Sequence, residues 1–181
     1  MNLLLQPKQY FLKQKPAKSI VGLVILLLFV STVFLSLFIL DILSDEVYDL
    51  DKQLATFVFI FLLTVPLYFI LNFLITTLTS IILFFFNKHF VFRKMYIVIL
   101  VYNAFILLVN SAALFLVITL NADNYFVIIQ LISFLISTYF LRLLYYGIVS
   151  YAEGSRIGAV AIVTLYWIIN CLLIIGGFLY G

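Results

Sequence analysis

Five stretches of this chain, residues 20–40, 54–86, 96–120, 125–147 and 157–180, hold one charged side chain between them, Arg142. A helix rises about 1.5 Å per residue, so about 20 apolar residues cross a hydrocarbon core of about 30 Å. Each stretch is long enough. Composition agrees: 67% of the 181 residues are apolar and 9% are charged, against about 45–50% and about 25% in a soluble domain. Ten bases and seven acids are too few to coat a water-soluble globule of this size, and the chain is too apolar for disorder. The pattern predicts an all-α, polytopic transmembrane helix bundle of five spans. Residues 19–181 form one membrane domain, preceded by a basic arm at residues 1–18.

The arm holds Lys8, Lys13, Lys15 and Lys18, with Pro7 and Pro16 and the apolar residues Leu3, Leu4, Leu5, Tyr10, Phe11 and Leu12. Two readings stand side by side: a short amphipathic segment lying in the headgroups, or a frayed basic terminus. The first apolar stretch is too long for the apolar region of a signal peptide, and no small-residue cleavage site follows, so a retained helix is expected. The second stretch would make a helix of about 50 Å. It tilts and projects beyond the membrane, or it breaks near Pro66. One long kinked helix is the preferred reading, because the run lacks the glycines that a re-entrant turn needs.

Charge placement predicts orientation. Lys8, Lys13, Lys15, Lys18, Lys88, Arg93, Lys94, Arg142 and Arg156 fall on one side, and Lys52 alone on the other. Over loops this short, the basic side faces the cytoplasm. The N-terminus is therefore expected in the cytoplasm and the C-terminus outside it. Six of the seven acids, Asp41, Asp45, Glu46, Asp49, Asp51 and Asp123, lie on the far side. The expected location is a bacterial cytoplasmic membrane.

Polar residues within the spans are where binding or chemistry would reside. Asn72, Thr76, Thr79 and Ser80 share one helical stripe, Asn103 and Asn110 lie seven apart with Ser111 beside them, and Asn170 adjoins Cys171. Asn72, Thr76, Asn103, Asn110 and Asn170 are the candidates for a pocket. The competing reading makes them contacts between helices, worth about 0.6 kcal/mol each on average. Lys13, Lys15, Lys18, Lys88, Arg93, Lys94, Arg142 and Arg156 are the candidates for lipid headgroup contact. Arg142 sits about five residues from the expected cytoplasmic end of its helix. It can snorkel to the interface, pair with Glu153, or meet a lipid phosphate. Gly154 and Gly158, with Ser155 and Ala159 at the same spacing, predict close helix packing at the base of the fifth span.

Catalysis has little support. No metalloprotease, lipase or phosphate-loop motif is present, and no span holds paired acids. One His (His89) and one Cys (Cys171) cannot build a multi-histidine or cysteine metal site. No cofactor is expected, and the basic residues are better explained by anionic lipid than by nucleic acid.

The order of features resembles the YIP (Ypt-interacting protein) family of five-span membrane proteins, specifically its short bacterial members. The resemblance rests on Gln6-Pro7-Lys8-Gln9-Tyr10-Phe11 before the first span, a short acidic loop and a long second helix. A basic turn then follows Phe84-Phe85-Phe86, the third span opens near Tyr96 and Tyr102, and Gly158-Ala159 enters the last. It spans nearly the whole chain and is mostly hydropathic. This chain departs from the family in lacking a proline soon after Tyr102 and in having an arm of only about 18 residues, so small-GTPase binding is not carried over. The resemblance implies a non-enzymatic protein acting through partners in membrane organisation or trafficking. Membrane lipids and a protein partner or homo-oligomer are the expected partners. Two alternatives are a small membrane transport subunit and an immunity or stress-tolerance membrane protein.

Overall fold

The computed structural model describes residues 2–12, 17–42, 50–86, 89–119 and 125–180. Lys13, Lys15 and Lys88, and the acids Asp45, Glu46, Asp49 and Asp123, lie outside the described residues, as do the side chains of Lys18, Asp41 and Lys52. Among the described residues seven helices follow in order: α1 (Asn2–Leu5), α2 (Pro7–Leu12), α3 (Ala17–Ile42), α4 (Leu50–Phe86), α5 (Phe92–Thr119), α6 (Phe126–Ser150) and α7 (Arg156–Tyr180). No strand occurs among the described residues.

Among the described residues, four helices are long and apolar enough to cross a membrane, over Ile20–Leu40, Gln53–Phe86, Phe92–Val117 and Phe126–Ser150. The described apolar stretch of α7, Arg156–Leu172, is shorter. The chain thus forms an all-helical bundle of membrane type. Helix α4 runs unbroken through Pro66 for 37 residues, about 55 Å. A proline inside a helix removes one hydrogen bond, and the apolar turns on both sides keep the rest of the ladder intact. The alternative of a break at Pro66 is not realised.

Helix α5 is the centre. Half of its most apolar 18-residue stretch is buried, against 11% of the corresponding stretch of α4, and Met95, Val98, Ile99, Val101, Tyr102 and Ala104 are almost fully enclosed. Helix α3 packs most extensively against α5. Ser31, Thr32 and Ser36 are buried on α3, and their hydroxyls donate to the carbonyls of Leu27, Leu28 and Thr32 at 2.8, 3.0 and 2.6 Å. Small residues whose polar groups are satisfied within their own helix let neighbouring backbones come close.

Glycine sets two other close approaches. A Cβ at Gly147 would lie 2.4 Å from Val98 Cγ1, which seats α6 directly on α5. A Cβ at Gly158 would lie 2.6 Å from Leu83 Cδ1 and 3.2 Å from Phe86 Cβ, and one at Gly154 would lie 3.2 Å from Leu83 Cδ2. The small-residue pair thus closes the base of α7 onto the end of α4, as its spacing predicts. Ser155 Oγ accepts the Gly158 N–H at 3.0 Å and caps α7.

These contacts gather the end of α4, the start of α5, the end of α6 and the start of α7 at one basic end of the bundle. There the Val91 N–H donates to the Ala152 carbonyl at 3.0 Å. The arm docks at the same end. Leu3, Pro7 and Phe11, each four residues apart, are buried, and the Phe11 ring lies 5.8 Å from that of Tyr151. Over Asn2–Leu5 and Pro7–Leu12 the arm is helical, and its apolar face turns onto α6. Lys8 and Gln9 stay exposed. Burial, with Tyr151 beside it, pushes the Tyr10 hydroxyl above its ordinary value of 10.0.

Candidate functional site

Polar side chains form three seams that radiate from α5. Toward α4, Asn103 Nδ2 donates to Asn72 Oδ1 at 2.5 Å, and Asn72 Nδ2 donates to the Tyr68 carbonyl at 2.8 Å. The Tyr68 hydroxyl crosses to the Leu100 carbonyl, and the Tyr96 hydroxyl donates to the Phe69 carbonyl at 3.3 Å. Toward α6, Ser133 Oγ donates to Asn110 Oδ1 at 3.2 Å. Toward α7, Asn170 Nδ2 makes a long contact of 3.5 Å to the Tyr102 hydroxyl, and the Tyr102 and Tyr166 rings meet edge to face at 5.4 Å.

The five candidate pocket residues therefore do not form one cluster. Asn72 and Asn103 hold one seam, Asn110 a second and Asn170 a third. Thr76 Oγ1 donates to the Asn72 carbonyl at 2.6 Å and reaches no other helix by that bond. The stripe expected on α4 does face inward: Asn72, Thr76, Thr79 and Ser80 are all buried. An asparagine inside an apolar bundle costs least when its amide is paired across a helix boundary, and the Asn72–Asn103 contact meets that condition.

Two cavities flank the third seam. One, of about 220 Å³, lies between α5, α6 and α7 and is lined by Asn110, Gln130, Ser133, Ser137 and Asn170 among apolar neighbours. The other, of about 300 Å³, lies between α4, α5 and α7, with Thr79, Tyr102, Asn103, Tyr166 and Asn170 on its wall. Ile106 and Asn170 belong to both, whereas Asn72 and Thr76 line neither. The Tyr166 hydroxyl is buried beside Thr79, whose own proton goes to the Ile75 carbonyl at 2.6 Å, and it has no hydrogen-bond partner among the described residues. Among the described residues no charged side chain lines either cavity, so their chemistry suits neutral hydrogen-bonding groups.

Several of these residues escaped the sequence reading. Gln130, Ser133 and Ser137 sit three and seven residues apart on one face of α6, a helical spacing that could have been read. Tyr68 and Tyr166 blend into apolar runs, although a buried tyrosine hydroxyl needs a partner.

At the basic end, Lys94 Nζ pairs with Glu153 Oε1 and lies 5.6 Å from the centre of the Tyr151 ring. Glu153 has φ 63°, a left-handed conformation uncommon outside glycine. Of the other candidate headgroup residues, Arg93, Arg142 and Arg156 are exposed. Arg142 does not pair with Glu153, because that carboxylate is engaged by Lys94 from the start of α5. Helix α6 also continues to Ser150, which places Arg142 eight residues, about 12 Å, from the helix end. Its guanidinium lies 5.2 Å from the centre of the Tyr139 ring, one turn back along α6.

Compared with protein-family models, curated proteins and solved structures, the chain shows no match.

Proposed function

We propose that this chain is a non-enzymatic integral membrane protein of five spans that acts through protein or lipid partners in membrane organisation or trafficking, as a YIP-type domain would. Its N-terminus lies in the cytoplasm, its C-terminus outside, in a bacterial cytoplasmic membrane. The 25 residues of α7 amount to about 37 Å of helix, enough for the fifth crossing. The observation that supports partner binding is the contrast between α5 and α4. Asn72, Asn103, Asn110 and Asn170 inside the bundle are engaged in contacts between its own helices. Helix α4, by contrast, has 11% of its most apolar 18-residue stretch buried, and it presents a long apolar face where Leu62, Leu67, Leu74 and Leu78 are all exposed. That face suits a partner helix or a second copy of the chain. Light scattering and pull-down in mild detergent test this. A stoichiometric protein partner or a homo-oligomer is expected, and a monomer that recovers nothing contradicts it.

The two cavities at Asn170 favour a second reading, a small transport subunit that holds a neutral solute. A thermal-shift screen with vitamins and metal ions distinguishes it. A compound that stabilises the wild type and not Asn103→Ala supports transport, and no shift from any compound counts against it.

A further inference from the structure

Arg142 is the one charge inside an apolar run, and it sits deep. Helix α6 spans Phe126–Ser150, so its midpoint is Thr138 and Arg142 lies four residues, about 6 Å, beyond it. Helical side chains lean toward the helix N-terminus, and the guanidinium follows that lean over the Tyr139 ring, 5.2 Å from its centre. It therefore points toward the middle of the helix and away from the basic end of the bundle, the opposite of a snorkelling side chain. A ring face offsets a cation only in part, and a cation at this depth in a membrane requires an anion or water. Arg142 is exposed on the outer surface of the bundle and has no ion pair among the described residues. Glu153, the acid nearest in sequence, is engaged by Lys94.

The anion has to come from elsewhere, at the right depth. Lipid phosphates lie level with the helix end, about 12 Å from Arg142 along α6. The five apolar stretches of this chain hold no acid, so a second copy offers no counter-charge and brings a second arginine to any two-fold contact. What fits is a carboxylate carried into the membrane on another helix. The surface has the shape for one. Leu135, Tyr139, Arg142 and Tyr146 step along α6 by four, three and four residues, the seam that a single packed helix covers. Leu135 and Tyr139 are 66% and 41% exposed. Beside Arg142 a groove of about 260 Å³ runs between α6 and α7, with Tyr146, Val160 and Thr164 on its wall, a recess for the side chains of that helix. We propose that this face binds one transmembrane helix of a different protein, which carries an Asp or Glu at the depth of Arg142. The guanidinium fork takes the carboxylate through two parallel N–H···O bonds. The proposal rests on the membrane placement above, adds the partner's chemistry to it, and does not depend on the α4 face.

The test is energy transfer in phosphatidylcholine vesicles between the protein, labelled at its N-terminus, and a synthetic Leu/Ala helix of about 20 residues. The helix carries one Glu at its centre, or one turn to either side. At one of these depths wild type is expected to bind the Glu helix about tenfold more tightly than the Gln helix of the same register, the worth of a charge-assisted hydrogen bond. Arg142→Gln should bind the two alike, Arg142→Glu should prefer a Lys helix instead, and Arg156→Gln should match wild type. Equal binding of Glu and Gln helices by wild type at every depth overturns the proposal, and that comparison needs no variant to fold. An Arg142→Gln protein that elutes as wild type does and keeps the Glu preference overturns it too. Either result leaves partner binding through α4 standing. Failure of wild type to enter vesicles contradicts the membrane placement itself.

Discussion

Replacing Gly147 with alanine puts a methyl group where Val98 already stands. The new Cβ would lie 2.4 Å from Val98 Cγ1, 2.8 Å from Cγ2 and 3.2 Å from Cβ, whereas carbon atoms rest at about 3.5–4.0 Å. Rotating Val98 about χ1 does not clear the clash, because its Cβ is itself too close and both methyls face the glycine. Val98 is 1% exposed, so it has no open space to enter, and α5 and α6 must separate. Overpacking of this kind costs about 1–3 kcal/mol. The better helix propensity of alanine returns at most about 1 kcal/mol. The net expectation is a loss of about 1–2 kcal/mol, a factor of about 5–30 in the folding equilibrium. Gly22 supplies the control: a Cβ there meets nothing within 4 Å, so Gly22→Ala should be neutral or stabilising. Adding Val98→Ala should rescue Gly147→Ala, with a coupling of about 0.5–3 kcal/mol in a double-mutant cycle. Unfolding by denaturing detergent in mixed micelles measures all four variants. Equal stability of Gly147→Ala and Gly22→Ala would refute the reasoning.

Four other outcomes follow from the geometry. Asn72→Ala and Asn103→Ala should each cost about 0.6–2 kcal/mol, and the double variant little more than the worse single one, read by the same unfolding assay. Phe11→Ala removes a buried ring worth about 3 kcal/mol or more and should release the arm, seen as faster tryptic cleavage after Lys8; an unchanged rate would show that the arm is not held by Phe11. At Glu153, glycine relieves the positive φ and alanine does not, so Glu153→Gly should exceed Glu153→Ala in stability by about 1 kcal/mol, although both lose the exposed ion pair with Lys94. Docking of the arm should also weaken as pH rises past 10.0, the ordinary value from which the Tyr10 hydroxyl is raised. The docked state prefers the protonated phenol, so docking is at full strength below that pH and is lost as the docked group ionises. Anisotropy of a dye at the N-terminus should show the change in wild type and not in Tyr10→Phe.

The helices were legible in the sequence because each apolar run exceeds a membrane thickness and is bounded by charge or by polar turn residues. The inward stripe of Asn72, Thr76, Thr79 and Ser80 was legible for the same reason that any helical face is: polar residues recur at its period. What periodicity does not encode is which seam each polar residue joins. Asn103 and Asn110 lie on one helix seven residues apart, yet they meet different neighbours, α4 and α6. The docked arm was hidden because Pro7 interrupts its short helices and its basic residues suggest exposure, although Leu3, Pro7 and Phe11 keep a four-residue spacing. Arg142 was misplaced by three residues because Gly147 reads as a helix end. In the fold that glycine is an approach point for Val98, and α6 runs on to Ser150.

The account turns on what covers α4. A photo-crosslinking residue at Leu62, Leu67 or Leu74, each exposed on α4, reports its neighbours directly in intact membranes. The partner-binding reading predicts a discrete protein adduct, either a dimer of this chain or one defined partner, from positions on that face. Lipid adducts alone at all three positions would contradict it.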